Sequence, residues 1–190
     1  VQAAVNTMGT DTIAAWGVCD KLDMLIWLLA DAMGPALATY TAQNMGAGRW
    51  DRVCKGNRIG AAMSVAAVGT VSLGLYFLTA PLGGLFVSVQ DAAAVVPQAV
   101  AFMRRMAPFF LFYALAESFS GACCGTGDTV RPMILTLLSI CLLRVLGILL
   151  VLPRQHTMEC IIDIYISSWI AAGIGFLILW QWEKNRVQKT

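Results

Sequence analysis

Apolar runs about twenty residues long recur along the chain, separated by short polar links, and none shows the apolar–polar alternation of a half-buried strand. A hydrocarbon core of about 30 Å needs roughly 20 mostly apolar residues per helix, so each run is long enough to cross one. Five spans are predicted: 13–45, with its charge-poor part over 22–45, then 59–80, 106–126, 133–152 and 160–182. Helix is the expected conformation throughout, because lipid offers no partner to an open backbone group and a closed barrel would need alternating strands. The pattern implies an all-α fold, a polytopic transmembrane helix bundle. The opening "VQAAVNTMGTDT" reads as the end of a helix over 1–8 followed by a turn. That abrupt start predicts a fragment of a longer protein, and no secretory leader layout is visible in it.

Composition strengthens this reading. The chain is 58% hydrophobic and 13% charged, with a mean hydropathy of +0.72, which excludes an ordinary soluble globule. The six cysteines, at 19, 54, 123, 124, 141 and 160, show no framework spacing and read as small packing residues. His156 stands alone in a loop, so neither a metal site nor a bound cofactor is expected. An enzyme would need a nucleophile with its base, or clustered ligands, and the pattern offers neither. No nucleic-acid partner is expected.

The basic residues are distributed unevenly. The link at 46–58 carries Arg49, Arg52, Lys55 and Arg58, the link at 125–132 carries Arg131, and the tail carries Lys184, Arg186 and Lys189. The other side holds Arg104, Arg105 and Arg154, eight against three. The positive-inside rule then puts the basic link and the C-terminus in the cytoplasm, and Trp50, Trp180 and Trp182 suit the inner interface. On this count alone the basic link is a topology determinant.

Charges inside the spans carry the functional expectations. Asp20, Asp23, Trp27 and Asp31 follow one another on roughly one helix face, and Pro35 is expected to bend the helix near Asp31. A carboxylate near mid-membrane costs about 2.5–3.5 kcal/mol on insertion scales, so Asp31 should face a wet cavity or a partner. It is a candidate for binding a coupling cation, a proton or a cationic substrate, or for a buried polar pair. Glu117 is a second candidate, with Tyr113, Ser120 and Cys124 on its face and Tyr113 as its hydrogen-bonding or cation-attracting neighbour. Arg144, central in the fourth span, is the candidate ion-pair partner of Glu117 if the third and fourth spans form a hairpin. "DAAAVVPQAVAFMRRMA" reads as an amphipathic lead into the third span, lying at the outer surface. Asp163 should be solvated, and Ser167, Ser168, Gly173 and Gly175 should form a packing surface.

Three segments carry a family resemblance: "GTDTIAAWGV" at 9–18, "AQNMGAGRWDRV" at 42–53 and "GACCGTGDTVRPM" at 121–133. In that order and with helix-length gaps, they resemble the multidrug and toxic compound extrusion (MATE) transporters. The resemblance implies two six-helix lobes, of which this chain would be the C-terminal one: the tail of helix seven at 1–8, then helices eight to twelve. It implies cation-coupled antiport, with Na⁺ or H⁺ as coupling ion, exporting organic, often cationic, compounds across a prokaryotic plasma membrane. The implied partners are membrane lipid, small organic cations and the missing N-terminal lobe. Cys124 stands where the family usually has arginine, and "DKLD" at 20–23 is unusually charged for its place. Some members bind the coupling cation through acidic residues on helices seven and ten; Glu117 lies on helix ten, away from that position. A flippase of related architecture for lipid-linked precursors and a non-transporting remnant are the alternatives.

Overall fold

The computed structural model describes residues 2–187, so Lys189 of the basic tally lies outside it. A short α1 (Gln2–Val5) precedes a helix of 37 residues, α2 (Thr10–Gly46). Gly9, at φ 95°, turns the chain into α2, and Asp11 in the first turn faces the positive end of the helix dipole. At the other end "GAGR" reverses the chain, with Gly48 at φ 68°, and α3 (Trp50–Gly83) returns beside α2. Next come α4 (Ala92–Met106), a 3₁₀ turn over Ala107–Phe109, and α5 (Phe110–Gly125). Then α6 (Val130–Thr136), a π-helical stretch over Leu137–Leu142 and α7 (Leu143–Leu150) follow without a loop, and α8 (Met158–Val187) closes the described chain.

Among the described residues, four helical stretches are long and apolar enough to cross a membrane: Trp50–Gly83, Ala92–Gly125, Val130–Leu150 and Met158–Val187. The fifth expected span, α2, has ample length, about 55 Å at 1.5 Å per residue. It carries Asp20, Lys21, Asp23 and Asp31 along it, and it packs against α3, α4 and α5. Ile26 and Ala30, fully buried, anchor its inner face.

The lead into the third span does not lie along the surface as its amphipathic pattern suggested. α4 continues into α5 through the turn at Pro108, and its apolar face of Val95, Ala99, Phe102, Met103 and Met106 is buried against α2 and α3. Burial between protein helices satisfies that face, so the interfacial position is not needed. The stretch from α6 to α7 is the outlier, leaning chiefly on α8, with only Pro132 and Ser139 buried along it.

Seen from its ends, the bundle is electrically asymmetric. Trp50 lies 6.2 Å from Trp180, ring to ring, which brings the start of α3 beside the end of α8 and gathers Arg49, Arg52, Lys55, Arg58, Arg131, Lys184 and Arg186 at one end. There Asp128, just before α6, accepts the Arg131 backbone N–H at 3.3 Å and its guanidinium at 2.7 Å. Burial opposes ionisation of Asp128, but these Arg131 bonds outweigh it and hold the carboxyl below its ordinary value. At the opposite end Arg105 grips Asp163 with two bonds of 2.8 and 2.7 Å, so that carboxylate is paired as well as half-exposed.

Candidate functional site at the crossing of two helices

Sequence spacing sets where α2 and α5 meet. "GACCG" places Gly121 and Gly125 one turn apart on α5, and "GPALA" places Gly34 and Ala38 one turn apart on α2. Such small-residue pairs let backbones approach where lipid gives no hydrophobic drive for association. A methyl group added to Gly121 would run into the Gly34 carbonyl, and one on Gly125 would lie 2.5 Å from the Ala38 carbonyl oxygen. The two helices run parallel here, backbone against backbone.

Both candidate carboxylates flank this crossing. Asp31 precedes Gly34 by one turn on α2, and Glu117 precedes Gly121 by one turn on α5. Asp31 is exposed on the face of α2 and accepts a 2.7 Å hydrogen bond from the Tyr113 hydroxyl. Glu117, half-buried, has its side chain within reach of the same hydroxyl, and its Oε2 lies 3.6 Å from the point where a Gly34 side chain would begin. A charge-assisted bond of the Tyr113–Asp31 kind contributes about 1.5–3 kcal/mol. The structure thus assembles Asp31, Tyr113 and Glu117 into one constellation. Ser120 and Cys124 continue its stripe along α5, both half-buried.

Arg144 does not join it. Its Nε donates to Ser168 Oγ at 2.9 Å, and its guanidinium lies 4.0 Å from the Tyr165 ring centroid and 6.0 Å from that of Trp169. Among the described residues no carboxylate lies within 4.0 Å of it, so the expected Glu117–Arg144 ion pair is absent. The reason is geometric. Glu117 points toward α2, whereas the helix carrying Arg144 leans on α8 and meets its aromatic side chains first. A desolvated cation over an aromatic face is worth about 2 kcal/mol, enough to retain the guanidinium there.

Trp27, placed on the Asp31 face by its spacing, sits edge-on to Tyr113, with centroids 4.4 Å apart, and fixes the ring that serves Asp31. Sequence reasoning missed the residue behind it. Trp169, 1% exposed, touches Trp27, Phe110 and Tyr165 and forms the hub of the aromatic layer behind the site. Asp23 is buried instead of sharing the open face of Asp31. Eight residues at 100° each leave the two about 80° apart around the helix, enough to turn Asp23 inward while Asp31 stays open. The glycine spacing in "GACCG" was the available signal for the crossing.

The geometry suits a site for positive charge: two acidic groups and a phenol, with Arg144 directed to α8. A family model described as MatE matches residues 1–150. Among curated proteins, the chain is 21% identical over 190 residues to the "Probable multidrug resistance protein YoeA" of Bacillus subtilis (strain 168), an alignment covering 97% of this chain and 40% of that protein. It is 26% identical over 144 residues to the "Probable multidrug resistance protein YpnP" of the same organism, covering 76% of this chain and 32% of that protein. The chain therefore spans less than half the length of these curated relatives.

Proposed function

The chain belongs to the MatE family, and from that premise we propose that the protein containing it exports organic cations in exchange for Na⁺ or H⁺. The observation that carries this reading is the Asp31–Tyr113–Glu117 constellation at the closest approach of α2 and α5. The names of its relatives, both probable multidrug resistance proteins, support a role in drug efflux.

In this mechanism the two carboxylates form one receptor for positive charge. Two acidic groups this close in an apolar surround repel each other, so occupancy by a cation or a proton is favoured. A coupling ion and an organic cation both neutralise the pair, and each therefore displaces the other. Tyr113 orients Asp31 and offers its ring to the bound cation, and Trp27 holds that ring in place. Alternating access presents the receptor to each side in turn, so the ion gradient drives expulsion of the organic cation. Anionic lipid-linked cargo would need cations at the receptor, whereas Arg144 is spent on Ser168 and Tyr165. The basic end faces the cytoplasm of a prokaryotic cell in this scheme, with the C-terminus on that side.

Efflux of a fluorescent lipophilic cation from cells carrying the full-length gene, under imposed Na⁺ or pH gradients, tests the proposal. Wild type should extrude the dye under one gradient, and Asp31→Asn or Glu117→Gln should abolish gradient-driven export with the protein still in the membrane. A wild type that moves no dye under either gradient would overturn the reading.

A further inference from the structure

The four basic residues between α2 and α3 are not equivalent. Arg49 is engaged, its Nε and Nη2 donating to the two oxygens of Asp51 at 3.2 and 3.3 Å. Arg52, Lys55 and Arg58 are exposed, and none has a carboxylate within 4.0 Å among the described residues. Topology alone would be served by charges anywhere in the link. Here two of the three unpaired cations line a formed groove.

That groove, about 570 Å³ in volume, runs between the end of α2 and the start of α3, with Arg52, Lys55, Tyr40, Gln43 and Ile59 on its walls. Its shape is built in. The Tyr40 ring lies across Gly56, occupying the space a side chain there would take, and its hydroxyl donates to the Arg52 carbonyl at 3.1 Å. Asn44 Nδ2 donates to the Tyr40 carbonyl at 2.8 Å and secures the other wall. Toward mid-membrane, α3 then presents Ile59, 50% exposed, and Met63, 61% exposed. From Lys55 to Met63 is about 12 Å of helix, the step from headgroup depth to acyl chain. Trp50, Trp180 and Trp182 cluster at the same end and suit the level of the interface.

We propose that the α2–α3 groove binds an anionic phospholipid, its phosphate held by Arg52 and Lys55 with Arg58 adding to the field, and its acyl chain lying along Ile59 and Met63. Basic pockets between membrane helices at the positive side recognise anionic headgroups through this combination of unpaired cations and adjoining apolar surface. A soluble phosphate would leave the apolar part of the groove uncovered. The inference rests on the fold and its charges and is independent of what the protein transports.

Native mass spectrometry of the full-length protein, released from detergent after exposure to equal amounts of phosphatidylglycerol and phosphatidylcholine, provides the test. Wild type should retain phosphatidylglycerol preferentially, and Arg52→Gln with Lys55→Gln should weaken retention about tenfold. The charge-preserving pair Arg52→Lys and Lys55→Arg should retain it, and Arg154→Gln at the opposite end should change nothing. Equal retention of both lipids by wild type would overturn the proposal, as would an equal loss in Arg154→Gln. Complete displacement by millimolar inorganic phosphate would make the groove a phosphate site and overturn the lipid assignment. Should the double glutamine variant fail to fold, Lys55→Gln alone must weaken retention measurably, and unchanged retention would count against the site.

Discussion

Gly121→Ala is the sharpest perturbation the structure offers, because it adds one methyl group at the point where two backbones touch. That methyl would sit 2.7 Å from the Gly34 carbonyl carbon and 2.8 Å from its Cα, against an ordinary contact of at least 3.4 Å. Both atoms are backbone, so no rotamer change relieves the clash, and α2 and α5 must part by about 1 Å. Overpacking of this kind costs about 1–3 kcal/mol, only partly offset by the 0.5–1 kcal/mol or so that alanine gains over glycine within a helix. The net expectation is a loss of about 1–2 kcal/mol in detergent unfolding. Function should suffer more, since the same displacement stretches the 2.7 Å bond between Tyr113 and Asp31, and losing a charge-assisted bond corresponds to a drop of about tenfold or more in cation affinity. Gly74→Ala is the control: nothing lies within 4 Å of the added methyl, so stability should hold or rise slightly. Unfolding curves and organic-cation binding, measured on both variants of the full-length protein, check the reasoning. If Gly121→Ala unfolds and binds like Gly74→Ala, the close crossing is not what positions the site.

Two further outcomes follow from the same geometry. In double-mutant cycles read by unfolding, Asp31→Asn with Tyr113→Phe should show coupling above about 1 kcal/mol, and Glu117→Gln with Arg144→Met below about 0.5 kcal/mol; the reverse order would restore the ion pair that the structure lacks. Asp128 ionises more readily in the folded protein than at its ordinary value of 3.8, so its contribution is present above that value and lost as pH falls through the depressed one. Melting temperature should therefore decline on acidification below about pH 4, and Asp128→Asn, having lost the contribution at neutral pH already, should decline less; equal slopes would contradict the assignment.

Much of this architecture is legible in hydropathy, because a span must be continuous and apolar to satisfy its backbone in lipid. The chain reversal at "GAGR" and the Asp128–Arg131 bonds accordingly lie in the two polar links, 46–58 and 125–132, that the apolar runs leave between them. What stayed hidden depends on which helices become neighbours. α4 has the pattern of an interfacial helix and is instead buried, since periodicity reports an apolar face without naming its cover. Arg144 needed a partner, and the chain offered both Glu117 and the aromatic residues of α8. Only the lean of its helix onto α8 selects Ser168, Tyr165 and Trp169. Asp31, Tyr113 and Glu117 were visible as polar residues where lipid forbids them. Their convergence depends on Gly34 and Gly121, whose spacing acquires meaning only once α2 and α5 are known to touch.

Direct binding of a labelled lipophilic cation, tetraphenylphosphonium, to the purified full-length protein puts the central claim to its plainest test. Wild type should bind it, Na⁺ or acid should displace it competitively, and Asp31→Asn or Glu117→Gln should weaken it about tenfold or more. Binding that survives both substitutions unchanged would contradict the assignment of the α2–α5 crossing as the cation receptor.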